Sequence, residues 1–232
     1  MTNWYTSDLH FGHPFVAALR GYAEPGWPTD ATIREECLEA GVDLWDAVNW
    51  ERHDRDLVDA INERCSADDT LTVLGDVSSG GSRSMREAEA MIRMLNIPRK
   101  RRRLVLGNHE NALLHHDRRD YVRWAGLFSV VSPVGLDMLS DGTPVLLSHF
   151  PYRDMFDLPV PDGLSTNALA ERLRRFAPPR VDGLVLLHGH THAKDRDEFG
   201  DPMMLNVGVD AWDMAPVSDQ TIVQIIQGEW HG

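Results

Sequence analysis

Short apolar runs recur along the chain, each ending in a polar or glycine-containing segment. Asn3-Trp4-Tyr5-Thr6-Ser7, Leu71-Thr72-Val73-Leu74, Leu104-Val105-Leu106 and Leu184-Val185-Leu186-Leu187 have the length and apolar content of buried strands. Between them the spacing becomes helical. Leu57, Val58 and Ile61 share a face within His53–Cys65, and Met91, Ile92 and Leu95 do so after Ser84. Ser84, with Glu87 three residues on, reads as a capping box that opens the latter helix, after a flexible loop at Ser78-Ser79-Gly80-Gly81-Ser82. Thr29 or Asp30 can cap a helix running to about Ala40 and ended by Gly41. Val130 to Leu147 reads as two strands joined by the hairpin signal Ser140-Asp141-Gly142-Thr143. Ala168–Phe176 reads as a helix, and Met203–Val207 and Thr221–Ile226 as closing strands. This alternation indicates an α/β protein, whose late strands suggest a partly antiparallel second sheet.

At 232 residues the chain suits one domain, residues 1–232, with one decorated edge. The decoration is the irregular stretch of about residues 14–50, which contains Tyr22-Ala23-Glu24-Pro25-Gly26-Trp27-Pro28 and is expected to cover one side of the site. Within it Trp27, Trp45 and Trp50 can pack the cover or stack on a base. No run approaches the roughly 20 apolar residues of a membrane span, and the N-terminus lacks the basic and apolar regions of a secretion signal. Cys37 and Cys65, without a CxxC partner, fit reduced thiols in a cytoplasmic protein. A net charge of −13 argues against a broad nucleic-acid surface, yet bound cations could still attract an anionic substrate. The run Arg99-Lys100-Arg101-Arg102-Arg103 fits a helix end complementing its dipole, or contact with a polyanion.

Five segments concentrate metal-binding side chains: Asp8-Leu9-His10, Gly75-Asp76, Gly107-Asn108-His109-Glu110, Ser148-His149 and Gly189-His190-Thr191-His192. Most follow an apolar run, so they can meet where an α/β sheet holds its ligands, beyond the carboxyl ends of the strands. One ion needs three or four such groups, and this set offers seven or eight, which suggests two adjacent ions and phosphoester chemistry. Residues i and i+2 of an extended segment share a side, so Asp8 with His10, and His190 with His192, can each face an ion. Asp76 can bridge, and Asn108 adds a carbonyl oxygen. Mixed nitrogen and oxygen donors suit two divalent transition-metal ions, manganese first, with iron, cobalt, nickel or zinc also compatible. Such a pair lowers the pKa of a bridging water from 15.7 toward about 7, giving a hydroxide that attacks phosphorus. His109 can stabilise the developing charge or protonate the leaving oxygen. Glu110 either orients His109 or is a solvated acid in the first turn of a helix. His13, Tyr152 and Arg153 are candidate substrate contacts. His188 points away from the ligand face, whereas His53, His115, His116 and His231 are expected on the surface.

The order DxH, GD, GNH[DE], H and GHxH resembles that of the calcineurin-like metallophosphoesterases. Ser7-Asp8-Leu9-His10-Phe11-Gly12-His13 and Asn206-Val207-Gly208-Val209-Asp210 resemble the small bacterial and phage branch, and the likeness runs from residue 5 to about 217. The resemblance implies a four-layer α/β/β/α sandwich of two mixed sheets and a binuclear centre. It implies Asp8, His10 and His192 on one metal, Asn108, His149 and His190 on the other, Asp76 as bridge and His109 as the catalytic histidine. Family members that act on phosphoproteins extend the GD motif with further Asp and Arg residues. Here it continues Val77-Ser78-Ser79-Gly80-Gly81, which disfavours that assignment. The expected activity is hydrolysis of small phosphodiesters such as cyclic nucleotides, the 2′,3′-cyclic forms first. Its rivals are a nuclease, a phosphomonoesterase or dinucleoside polyphosphate hydrolase, and a catalytically silent scaffold that binds a partner.

Overall fold

The strand-forming runs assemble into two sheets. In the computed structural model, which describes residues 1–157, 173–197 and 199–228, the first sheet has five strands. They are β1 (Asn3–Thr6), β2 (Thr70–Val73), β3 (Arg102–Val105), β4 (Val130–Ser132) and β9 (Val217–Ser218), ordered β4-β3-β2-β1-β9. β1 to β4 pair in parallel, and β9 runs antiparallel to β1. The second sheet, β5-β6-β7-β8, comprises Gly135–Met138, Pro144–Leu147, Val185–His188 and Met204–Asn206. Its last three strands are parallel, and β5 is antiparallel to β6.

Strict alternation divides the apolar residues between layers. Tyr5 and Val105 of the first sheet pack with Val145, Leu147, Val185, Leu187 and Leu205 of the second. Leu71, Val73 and Leu104 lie on the other face, against α3 (Trp50–Arg64), α4 (Ser82–Met94), the short α5 (Asn111–Leu114) and α6 (Arg118–Ala125). Leu146, Leu186 and Met204 form the outer face of the second sheet, with Tyr152 packed against them. Continuous apolar runs are what strands covered on both faces require, and each Leu, Ile or Val removed from water contributes about 1.5–3 kcal/mol. The result is an α/β sandwich of two mixed sheets with flanking helices. Among the described residues, no helix is long and apolar enough to cross a membrane.

The segment before α3 has its own small core. α1 (Pro14–Ala17) passes into a π-helical turn at Ala18–Tyr22, and α2 (Ile33–Ala40) packs Ile33 and Cys37 against Ala17, Ala18, Ala47 and Val48. Trp27 and Trp50 flank that core, while Trp45 meets Trp50 edge-on beneath the Arg83 guanidinium. Both thiols are free and buried.

Several elements differ from the sequence expectation. Thr221–Ile226 is not a strand but lies within helix α7 (Asp219–Ile226), because the Ser218 side chain accepts from Thr221 N and caps it. Val130–Leu147 holds three strands, since the chain leaves β4 in one sheet and enters β5 in the other. α2 begins at Ile33, after Asp30 accepts from Thr32 N in a preceding turn, and it ends at left-handed Gly41 as expected. Ser84 does not cap α4, which starts at Ser82. Its buried hydroxyl donates to Phe11 O and accepts from Ser79 N, fastening the 78–82 loop instead of leaving it loose. The helix expected at Ala168–Phe176 falls mainly outside the described residues. In the basic run, Arg99 donates to the terminal carbonyl of α6 at Ala125, Arg102 is buried on Ile97 O, and Arg103 pairs with Asp137. The helix end it serves is thus that of α6, not that of α4, which precedes it.

Candidate metal centre

Every motif residue follows the carboxyl end of a parallel strand. Asp8 and His10 follow β1, Asp76 follows β2, and Asn108 and His109 follow β3. His149 follows β6, and His190 and His192 follow β7. The backbone there is not extended. Asp8, His10, Asp76, His190 and His192 all have positive φ, five of the eight non-glycine residues that do so among the described residues. Each such position costs on the order of 1–3 kcal/mol and persists only where its surroundings enforce it. Asp8 N donates to Gly75 O, His10 N to Asp76 O, His190 N to Asp8 Oδ2 and His109 N to Asp76 Oδ1, so the loops hold one another. The i, i+2 argument from extended chain therefore fails in its geometry, and His190 and His192 turn toward different clusters.

Glycines make this crowding possible. A Cβ on Gly75, at φ +90°, would lie 2.7 Å from the Gly107 backbone and from His149 Nδ1. One on Gly189 would collide with the Ser7 hydroxyl and the Asp8 carboxylate. Gly189→Ala is expected to displace Asp8 and abolish tight metal uptake while leaving the sheets folded. Calorimetric metal titration alongside far-ultraviolet circular dichroism checks this, and unchanged uptake would refute it.

The side chains form two triads that contain a carboxylate, and His10 also groups with His13 and His109. The candidate ligand atoms of Asp8, His10 and His192 lie within 4.8 Å of one another, as do those of Asp76, His149 and His190. Asp76 Oδ2 sits between the triads, 3.7 Å from His10 Nε2 and 3.3 Å from His149 Nε2. Asn108 Oδ1 is 3.0 Å from His149 Nε2. His109, whose side chain is 33% exposed, places Nε2 3.9 Å from Asp76 Oδ2 and Nδ1 3.1 Å from Ser79 O.

The arrangement fits cations. His149 Nδ1 lies 2.8 Å from Leu74 O, which fixes it as the donor and points Nε2 at two oxygens. Burial alone would lower this imidazole, but Asp76 lifts it to about 9, so the pocket calls for positive charge at that atom. Asp76 is raised by burial, yet the histidines around it, His149 foremost, hold it well below the usual carboxylate range. Burial and the His149 charge take His190 down to about 3, leaving a neutral imidazole, the form that binds metal. In the other triad His10 Nε2 and His192 Nε2 face each other at 3.0 Å, and Asp8 Oδ1 has no hydrogen-bond partner among the described residues. Buried carboxylate oxygens seldom go unpaired unless an ion or water completes them.

Several residues have roles that differ from the sequence reading. Tyr152 is wholly buried under the second sheet with its hydroxyl on Leu184 O, and Arg153 spends its guanidinium on Ala177 O, so neither lines the cluster. His13 caps α1 through Nδ1 while its ring lies 5.2 Å from that of His10 and 5.9 Å from that of His109. Burial and the nearby His109 bring it down to about 4. Glu110 neither orients His109 nor meets solvent. It is fully buried and accepts from the Gly107, Asp76 and Val77 amides, clamping two ligand loops. Burial and the Asp76 charge push its carboxyl up to about 8, against those donors. His188 is buried beside its own loop, as expected. His115 and His116 are exposed and His231 lies outside the described residues, but His53 is buried, not on the surface, and pairs with Asp54. Arg20 and Asp210, which the sequence did not single out as site residues, join at 2.6 Å beside His192.

The Gene 66 protein of Mycobacterium phage D29 is 34% identical over 226 residues, covering 93% of this chain and 92% of its own. The Gene 66 protein of Mycobacterium phage L5 is 31% identical over 229 residues, covering 90% and 86%. A protein of unknown function from Aquifex aeolicus, of solved structure, aligns at a TM-score of 0.57 over 97% of this chain and 99% of its own; at 18% identity that likeness concerns the fold. The family model for calcineurin-like phosphoesterases matches residues 1–194, a span containing all five motifs and both triads. Ordered motifs, converging strand ends and that match lead to one statement: the chain belongs to the calcineurin-like phosphoesterase family.

Proposed function

We propose that this protein is a binuclear metal-dependent phosphodiesterase acting on small diesters, with 2′,3′-cyclic nucleotides as the first substrates to test. The observation that carries the reading is the position of Asp76 Oδ2 between two triads with His109 alongside. Asp8, His10 and His192 would hold one divalent transition-metal ion, and Asn108, His149 and His190 the other, with Asp76 shared. Manganese is the first choice among ions suited to these donors. Two such ions supply Lewis acidity toward the phosphate and make a nucleophile available from water near neutral pH.

The chain's own groups do the rest. Asp76 and Asp8 fix the charge of the site, and Glu110 keeps the two β-strand loops in register. The Ser79 carbonyl holds His109 Nδ1–H and so turns Nε2 toward the cleft. From there Nε2 can deliver a proton to the departing oxygen. His13, beside His10 and His109, is placed to contact the phosphate or its ester group. A small substrate is favoured over a polynucleotide by the net charge of −13. The basic run supports the same preference, because it lies at the amino end of β3, opposite the motif loops, with Arg99, Arg102 and Arg103 already engaged.

Purified protein loaded with Mn(II) is expected to hydrolyse bis-p-nitrophenyl phosphate and at least one 2′,3′-cyclic nucleotide, and to leave single-stranded DNA and RNA largely uncut. No turnover with Mn, Co, Ni or Zn would refute the enzymatic reading. Preferential cutting of polynucleotides would replace it with the nuclease.

A further inference from the structure

We infer that Arg20, acting through Asp210, is a positioning residue that sets the geometry of the Asp8–His10–His192 cluster, so that the segment before α3 governs how tightly one ion is held. The inference rests on the two-ion reading above.

Arg20 lies in the π-helical turn Ala18–Tyr22, outside all five motifs, and only 5% of its side chain is exposed. Its Nε and Nη2 fork onto Asp210, at 2.8 Å to Oδ1 and 2.6 Å to Oδ2. Nη2 also donates to Asp8 O at 2.8 Å. Asp210 Oδ2 in turn lies 3.0 Å from His192 Nδ1. A carboxylate cannot donate, so Nδ1 carries the proton and His192 Nε2 offers its lone pair toward Asp8 and His10. One guanidinium therefore secures the left-handed backbone of Asp8 and, through one carboxylate, the tautomer and ring plane of His192.

The same guanidinium is itself held. Nη1 lies 3.0 Å from His53 Nε2, which must be the acceptor because arginine has none. His53 Nδ1 then donates to Asp54 Oδ1 at 2.8 Å, and Asp54 Oδ2 accepts from Gly12 N at 2.7 Å, in the loop that follows His10. His53 and Asp54 are fully buried on α3. Nη1 also donates to Leu9 O at 3.4 Å, so each guanidinium nitrogen has a partner among the described residues. The other triad is built differently, because His149 Nδ1 is oriented by a backbone carbonyl. The effect of Arg20 should thus fall on one ion site and spare the other.

Carboxylates that orient a ligating histidine typically change metal affinity 10–100-fold when removed. The test is calorimetric titration of metal-free protein with Mn(II), comparing wild type with Asp210→Asn and Arg20→Lys. The first variant is nearly isosteric and the second keeps the charge without the fork, so both guard against simple misfolding. We expect wild type to take up two ions. In each variant one ion should bind on the order of 10–100-fold more weakly, with the affinity of the other unchanged within about twofold. Binding should be reciprocal: Mn(II) should slow hydrogen exchange of the 18–23 amides in wild type and much less in Asp210→Asn. Two ions bound with wild-type affinity in both variants would overturn the positioning role. A wild type that binds no ion would instead overturn the two-ion reading beneath it.

Discussion

Asp76→Asn is expected to reduce phosphodiester turnover by more than about a thousandfold, because the substitution strikes both ion sites at once. The Asp76 Oδ2 atom is within 4 Å of His10, His109 and His149. Oδ1 accepts from His109 N at 2.8 Å. An amide can preserve that last contact through its oxygen. Its nitrogen would then present hydrogens, not a lone pair, to the atoms meant to surround cations, and the charge would be lost. Steady-state kinetics in Mn(II), with metal content measured by atomic emission, provide the check. A variant that kept two ions and near-normal turnover would mean that the shared position of Asp76 is incidental.

His109→Ala should lower turnover by about 10²–10⁴-fold, the usual range for a positioned proton donor, while both ions remain. The separation follows from geometry. His109 contributes its backbone N–H to Asp76, which alanine retains, and its side chain belongs to neither triad that holds Asp76 or Asp8. The loss should also depend on the leaving group. A nitrophenolate departs without much help, so the deficit should be smaller for bis-p-nitrophenyl phosphate than for a cyclic nucleotide, whose leaving group is an alkoxide. An equal deficit for both would argue that His109 stabilises charge on the phosphate and donates no proton. No deficit at all would favour a scaffold that retains the fold without using its chemistry.

The strands and the motif loops were legible because each rests on local pattern. Leu71, Val73 and Leu74 are apolar and Thr72 is buried with them, since both faces of β2 are covered, and Asp76 lies just beyond. The failures have physical causes. Thr221–Ile226 is rich in β-branched residues, yet Ile222, Ile225 and Ile226 also recur at i, i+3 and i+4, and the Ser218 cap decides for helix. His53 is expected on the surface, although it and its neighbour Asp54 each stand four residues before an apolar position of α3, Leu57 or Val58, and share its buried face. There the spacing carried the signal and residue type obscured it. Arg20 and Asp210 are separated by 190 positions, and nothing in either neighbourhood announces the other. Asp210 does lie in the Asn206–Asp210 segment that resembles the phage branch, but resemblance alone does not reveal what its carboxylate holds. Glu110 is visible in the sequence, but only as an orienter of His109 or as a solvated acid. Its true partners are three amides on two strand-end loops, which only the folded backbone brings together.

His10 and His192, whose imidazole nitrogens meet at 3.0 Å, are 182 residues apart, and the loops between them come from both sheets. Contacts of such long range form slowly during folding, because the chain loses its entropy before they reward it. A nascent or partly folded chain should therefore have no high-affinity place for the ions, whatever secondary structure it has already acquired. Metal capture would then act as a late check on maturation, and the rate at which refolding protein quenches a metal-sensitive dye would time the docking of one sheet onto the other.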